Sequence, residues 1–148
     1  MRKRCHRRVI VPMPPRGLRP KLAGDQVRDL SICHHINLDA IARGTADEQT
    51  LWDWVESIFA WTFVAQQLAE GEAEMAQQQQ LATEVICRYG QVGRIVFRGQ
   101  EYQLAKLGVL VMDKLVEKVD LPTAVQATAE ARRRLDQLSA KCAARVAA

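Results

Sequence analysis

Helix-breaking residues cut this chain into five pieces, and each piece repeats its apolar residues every three or four positions. Four of the five prolines fall between positions 12 and 20, and the fifth is Pro122. The breaks that follow are Gly44, the pair Glu70 and Gly71, the glycines at 90, 93 and 99, and the run Asp120, Leu121, Pro122. A chain punctuated in this way can bury its apolar stripes only by packing helix on helix. The expected fold class is all-α: about five helices in a compact bundle, with a short extended or β-like connector before helix four.

The pattern predicts helix one over about 25–42, with Asp25 as cap, Val27, Leu30, Ile32, His34, Leu38 and Ile41 on its apolar side, and Gly44 ending it. Helix two follows over about 46–69, where Thr45 and Glu48 have the spacing of a capping box. Its main stripe is Leu51, Trp54, Val55, Ile58, Trp61, Ala65 and Leu68, and Trp52, Phe59 and Phe63 share a second side. A helix apolar on two sides is either central in a bundle or part of an interface. On the interface reading, aspartate at any of those three aromatic positions should separate a dimer without unfolding it.

Helix three is expected over about 72–89 and helix four over about 100–119, the latter with two apolar sides and the deepest burial. Gly108 inside it costs about 1 kcal/mol of helix propensity, which predicts a close crossing by helix two or five. The last helix is expected over about 120–143, capped by Asp120, with Leu121, Val125, Thr128, Ala131, Leu135, Leu138 and Cys142 facing inward. The run from Gly93 to Gly99 is too short for an independent sheet and reads as a connector.

Charge divides the chain differently. Residues 1–28 hold nine Lys or Arg against one acid, whereas residues 29–148 hold twelve against sixteen, a net −4. The expected organisation is a basic, Pro- and Arg-rich flexible arm over 1–23 followed by a helical interaction domain over 24–148. Arg2, Lys3, Arg4, Arg7, Arg8, Arg16, Arg19 and Lys21 are the candidate anion contacts of the arm, and Arg132, Arg133 and Arg134 form a second cluster. Such contacts would hold phosphates without reading bases.

Two classes fall away on length and spacing. The most apolar stretch, Leu107 to Met112, is six residues long and flanked by charges, far short of a membrane span. The basic start precedes only three apolar residues before proline, too few for a secretory signal, so a cytoplasmic location is expected. The four cysteines at 5, 33, 87 and 142 are widely spaced and read as reduced thiols, with Cys87 and Cys142 as small packed hydrophobes. Cys5 and His6 with Cys33, His34 and His35 include metal-ligand types but no close cysteine pair, so no metal and no cofactor are expected.

No nucleophile-elbow turn, phosphate-binding glycine loop or dinucleotide fingerprint occurs. Cys33 beside His34 is adjacency alone, since consecutive helical residues point about 100° apart. The function these features favour is a non-catalytic interaction or regulatory protein, homodimeric through surplus apolar surface on helix two, at Trp52, Phe59 and Phe63, or on helix four, with a protein partner for the arm. A nucleic-acid-binding accessory protein is the alternative, and a small helical enzyme ranks third.

Overall fold

The computed structural model describes Pro15 and residues 18–146, with side chains as far as 144. The first fourteen residues of the expected arm, together with Arg16, lie outside the described residues. Five helices account for nearly everything else: α1 (Gly24–Arg43), α2 (Glu48–Leu68), α3 (Glu72–Val92), α4 (Glu101–Lys118) and α5 (Leu121–Val146). The architecture is the expected all-α bundle. Among the described residues the only β pairing is a single antiparallel bridge between Lys21 and Asp120.

The helix starts are set by local hydrogen bonds, and two of them differ from expectation. The cap of α1 is Ala23 rather than Asp25: the Gln26 side chain reaches back and accepts from the Ala23 N–H at 2.9 Å. At α2 the cap is Asp47, which accepts from the Thr50 amide at 2.8 Å and from its hydroxyl at 2.6 Å. Those bonds hold the Asp47 carboxyl below its ordinary range. Thr45, the expected cap, is instead turned back so that its hydroxyl donates to the Ala40 carbonyl. At α5 the sequence reading holds, with Asp120 accepting from the Thr123 amide at 2.8 Å.

α2 is the axis of the bundle. It packs against every other helix, while α4 and α5 lie on different sides of it and α3 touches both. Leu51, Val55, Ile58, Val64 and Ala65 of α2 are sealed from solvent, as are Met75 and Val85 of α3 and Val109, Met112, Leu115 and Val116 of α4. The turn from α2 into α3 is tight because Gly71 has a left-handed backbone and a Cβ there would lie 2.8 Å from the Val111 methyl.

Three packing expectations need correction. Gly108 does mark a close approach, but the neighbour is the Gln78 side chain of α3, not the backbone of α2 or α5. Gln78 is buried, and its amide donates to the Leu104 carbonyl at 2.8 Å. Helix four is not the most buried element, because Leu107 and Leu110 are more than half exposed. On α5 the inward stripe is Thr123, Ala127, Ala131 and Leu138, leaving Val125 63% exposed. Alanine wins over valine here because short side chains let α5 settle closely onto α2.

The connector from Gly93 to Gln100 is held as an extended strap rather than a strand. Phe97 stacks edge-on against Trp54 with ring centres 5.5 Å apart. Arg88 forks onto both oxygens of Glu101 at 2.8 and 2.7 Å and also donates to the Val96 carbonyl at 3.0 Å. This bidentate pairing draws the Glu101 carboxyl below its usual range and raises the guanidinium.

Candidate functional site

The helix that gathers the most chemistry is α1, because each of its sides meets something different. Successive residues turn by about 100°, so Ser31 and His35 share one side, His34, Leu38 and Ile41 the next, and Cys33 and Asn37 a third. On the first side Ser31 donates to one Asp113 oxygen at 2.5 Å, and His35 lies 2.9 Å from the other, joining α1 to α4.

The inward side is anchored by a buried polar pair. The Trp61 indole N–H donates to His34 Nε2 at 2.8 Å, with the rings edge-on at 5.6 Å. Nε2 is therefore the acceptor, which places the proton of the neutral ring on Nδ1, a buried atom with no hydrogen-bond partner. Burial drives the imidazole from its ordinary 6.5 down to about 4, opposed by the negative charge of Asp113 and assisted by His35. His34 is accordingly a neutral core residue at physiological pH.

Beside this pair α1, α2 and α5 enclose a cleft of about 360 Å³ whose lining includes Cys33, Asn37, Ser57, Trp61, Ala127 and Thr128. Its rim is already engaged in internal bonds. Asp53 accepts from Gln49 at 2.7 Å, the Ser57 hydroxyl donates to the Asp53 carbonyl at 2.8 Å, and Glu56 pairs with Arg132 at 3.3 Å. Cys33 and His34 both line the cleft, yet the imidazole nitrogen that would take a thiol proton is occupied by Trp61. Among the described residues no group of three or more His, Cys, Asp or Glu is placed to hold a metal ion. His34 and His35 point to different sides of α1, and Cys5 and His6 lie outside the described residues.

The candidate anion contacts separate into three groups. Arg2, Lys3, Arg4, Arg7, Arg8 and Arg16 lie outside the described residues. Arg19 stands 3.8 Å from Asp120, and Lys21 is exposed while its backbone bridges to the same residue. Pro20 accepts from the Leu121 amide at 2.7 Å and Leu22 packs on the core, so this end of the arm is seated on the α4–α5 junction. On α5, Arg133 and Arg134 both pair with Glu130, and Arg132 pairs with Glu56. The triple-arginine cluster is thus matched by carboxylates on its own helix and on α2.

The three aromatic interface candidates do not form an open patch. Phe59 is only 5% exposed, and Trp52 and Phe63 are half-buried against the core. α5 flanks Phe63, which lies in a groove beside Gln126, Ala129, Glu130 and Arg133. No family model, curated protein or solved structure matches the chain. No helix among the described residues is long and apolar enough to cross a membrane.

Exposed apolar side chains lie on several elements, among them Leu107 and Leu110 on α4 and, on the outer side of α1, Ile32 at 47% and Ile36 at 59%. Ile32 was expected to face inward, and Ile36 carried no expectation. A helical wheel centred on His34, Leu38 and Ile41 places both isoleucines on the far side, so the signal was present in the spacing.

Proposed function

We propose that this chain is a non-catalytic helical interaction protein whose partner on the outer side of α1 is a second copy of itself. The observation behind this reading is the palindromic order of that side: Asp25, Ile32, Ile36 and Arg43, spaced by seven, four and seven residues. At about 100° per residue the four fall within roughly 40° of arc. When two such helices meet antiparallel about a two-fold axis at position 34, Ile32 lies over the partner's Ile36 and Asp25 over the partner's Arg43. Arg28 and Asp39, on one flank of α1, meet across the same axis. A two-fold interface requires self-complementarity of this kind.

The ion pairs that these residues make within the subunit, Arg28 to Asp29 at 3.2 Å and Arg43 to Asp39 at 2.9 Å, are exposed and cost little to rearrange. A face of two isoleucines is narrow, which places the association in the weak class and calls for a concentration series up to about 100 μM. Sedimentation velocity of the full chain should show a monomer shifting to a dimer across that series. Ile36→Asp should remain monomeric with unchanged helicity. Arg43→Asp should weaken the dimer, and Asp25→Arg added to it should restore association. A wild-type chain that stays monomeric throughout, or an Ile36→Asp chain that dimerises normally, would overturn the proposal.

A further inference from the structure

Cys87 and Cys142 are separated by 55 residues of sequence, yet their sulfur atoms stand 2.7 Å apart where α3 meets α5. That is closer than two unbonded sulfur atoms ordinarily approach and within roughly 0.7 Å of the length of a disulfide bond. We propose that this pair is a built disulfide site, whose reactant is a low-molecular-weight disulfide of the glutathione type. The pairing is not what the sequence spacing suggests, because two cysteines treated as packing residues on separate helices carry no signal of their meeting.

Three features hold the sulfurs in place. Val85 and Ile86, just before Cys87, are buried in the core and fix the C-terminal half of α3. Leu138, one turn before Cys142, is the last fully packed residue of α5, so the approach of the second sulfur is fixed as well. Both cysteines are half-buried, close enough to the surface for a small thiol reagent to reach them. Cys33, exposed on α1, has no such neighbour among the described residues and serves as an internal comparison.

The chemistry is two successive exchanges. One protein thiol, as its thiolate, attacks a sulfur of the small disulfide, the small S–S bond breaks, and one small thiolate leaves, taking up the proton released. The protein then carries a mixed disulfide. The second protein thiol, again as thiolate, attacks the protein sulfur of that mixed disulfide and expels the other small thiol with its proton. Two protein thiols are oxidised to one disulfide, and one small disulfide is reduced to two thiols. The second exchange needs almost no motion, because the attacking sulfur already lies against its target.

The consequence is a tie between helices that are otherwise joined mainly through α2. The inward stripe of α5 thins out after Leu138, so a covalent link at Cys142 fastens the end of that helix to α3. Closing so long a loop removes freedom from the unfolded chain, and the midpoint of thermal unfolding should rise by on the order of 10 °C.

The test uses the full chain with Cys5→Ser and Cys33→Ser, which leaves only the pair. Folded protein is incubated with oxidised glutathione and analysed by intact mass, thiol titration and peptide mapping. The expected result is joint loss of both thiols, a mass lower by two hydrogens, a Cys87–Cys142 linked peptide in monomeric protein, and a raised midpoint that reductant reverses. In a Cys142→Ser version the reaction should stop at a glutathione adduct on Cys87. Stable glutathione adducts on both cysteines of the intact pair would overturn the site. So would a pair that remains reduced under conditions that modify Cys33 in the wild-type chain, or a midpoint unchanged by the crosslink.

Discussion

Helices α1 and α2 both carry apolar residues on opposite sides, and the fold treats these sides in opposite ways. On α2 the second side, Trp52, Phe59 and Phe63, is drawn inward: Phe59 is buried, Trp52 and Phe63 pack on the core, and α5 lies beside Phe63. On α1 the second side, Ile32 and Ile36, has no helix over it among the described residues and stays open. Apolar content therefore says which faces want covering, but only the topology says which are covered within one chain. The aromatic side had the stronger hydrophobic signal and became core, and the weaker aliphatic side stayed exposed.

The largest test of this contrast is Phe59→Ala. If Phe59 is core, its removal leaves a cavity that costs about 3–5 kcal/mol, and the denaturant midpoint of the monomer should fall accordingly. A loss below about 1 kcal/mol, accompanied by a change in oligomeric state, would return Phe59 to the surface and reverse the comparison.

What the sequence made legible was whatever depends on neighbours in the chain. The Asp120 cap, the helix end at Gly44, the five helical segments and a short extended connector follow from local spacing and are present, although α3 runs through Gly90 and ends only at Gly93. What it hid depends on contacts between distant segments. Val125 loses its inward place to Ala127 because α5 must lie close to α2, a demand set some sixty residues earlier in the chain. The partner of Arg132 was hidden because Glu56 lies on another helix, whereas Glu130, the partner of Arg133 and Arg134, lies within about one turn on α5 itself. Cys87 and Cys142 were legible as helix residues and illegible as a pair.

The inner side of α1 provides the second test, through His34 and its bond from Trp61. The ring titrates near its ordinary 6.5 in the unfolded chain and at about 4 in the folded one. Between those values the unfolded state binds more proton, so stability is fully present above about 6.5 and falls as pH drops through the window, by on the order of 3 kcal/mol. Protonation would also set an N–H of the ring against the Trp61 donor. Unfolding free energies measured from pH 7.5 to 4.5 should show this decline, and His34→Leu should flatten it. An equally steep decline in His34→Leu would assign the effect to the carboxylates and would loosen the claim that α1 is held by its inner side.

The smallest test moves the contrast to α4, where inside and outside are reversed in residue type. Gly108 faces inward and is buried, while its neighbour Leu107 is 59% exposed. Propensity alone makes Gly108→Ala stabilising by about 1 kcal/mol. A methyl group there would lie 2.3–2.6 Å from the Gln78 side chain, which is buried and bonded to the Leu104 carbonyl, so it must displace that amide. The expected net effect is a loss of about 1–2 kcal/mol, from overpacking and a broken buried hydrogen bond outweighing the gain in propensity. In a Gln78→Ala background the obstacle is gone, and Gly108→Ala should become neutral or stabilising. A double-mutant cycle of unfolding free energies measures this change of sign directly. If Gly108→Ala stabilises the wild-type chain as well, Gln78 can turn aside without cost, and the inward glycine on α4 would then owe its place to no contact at all.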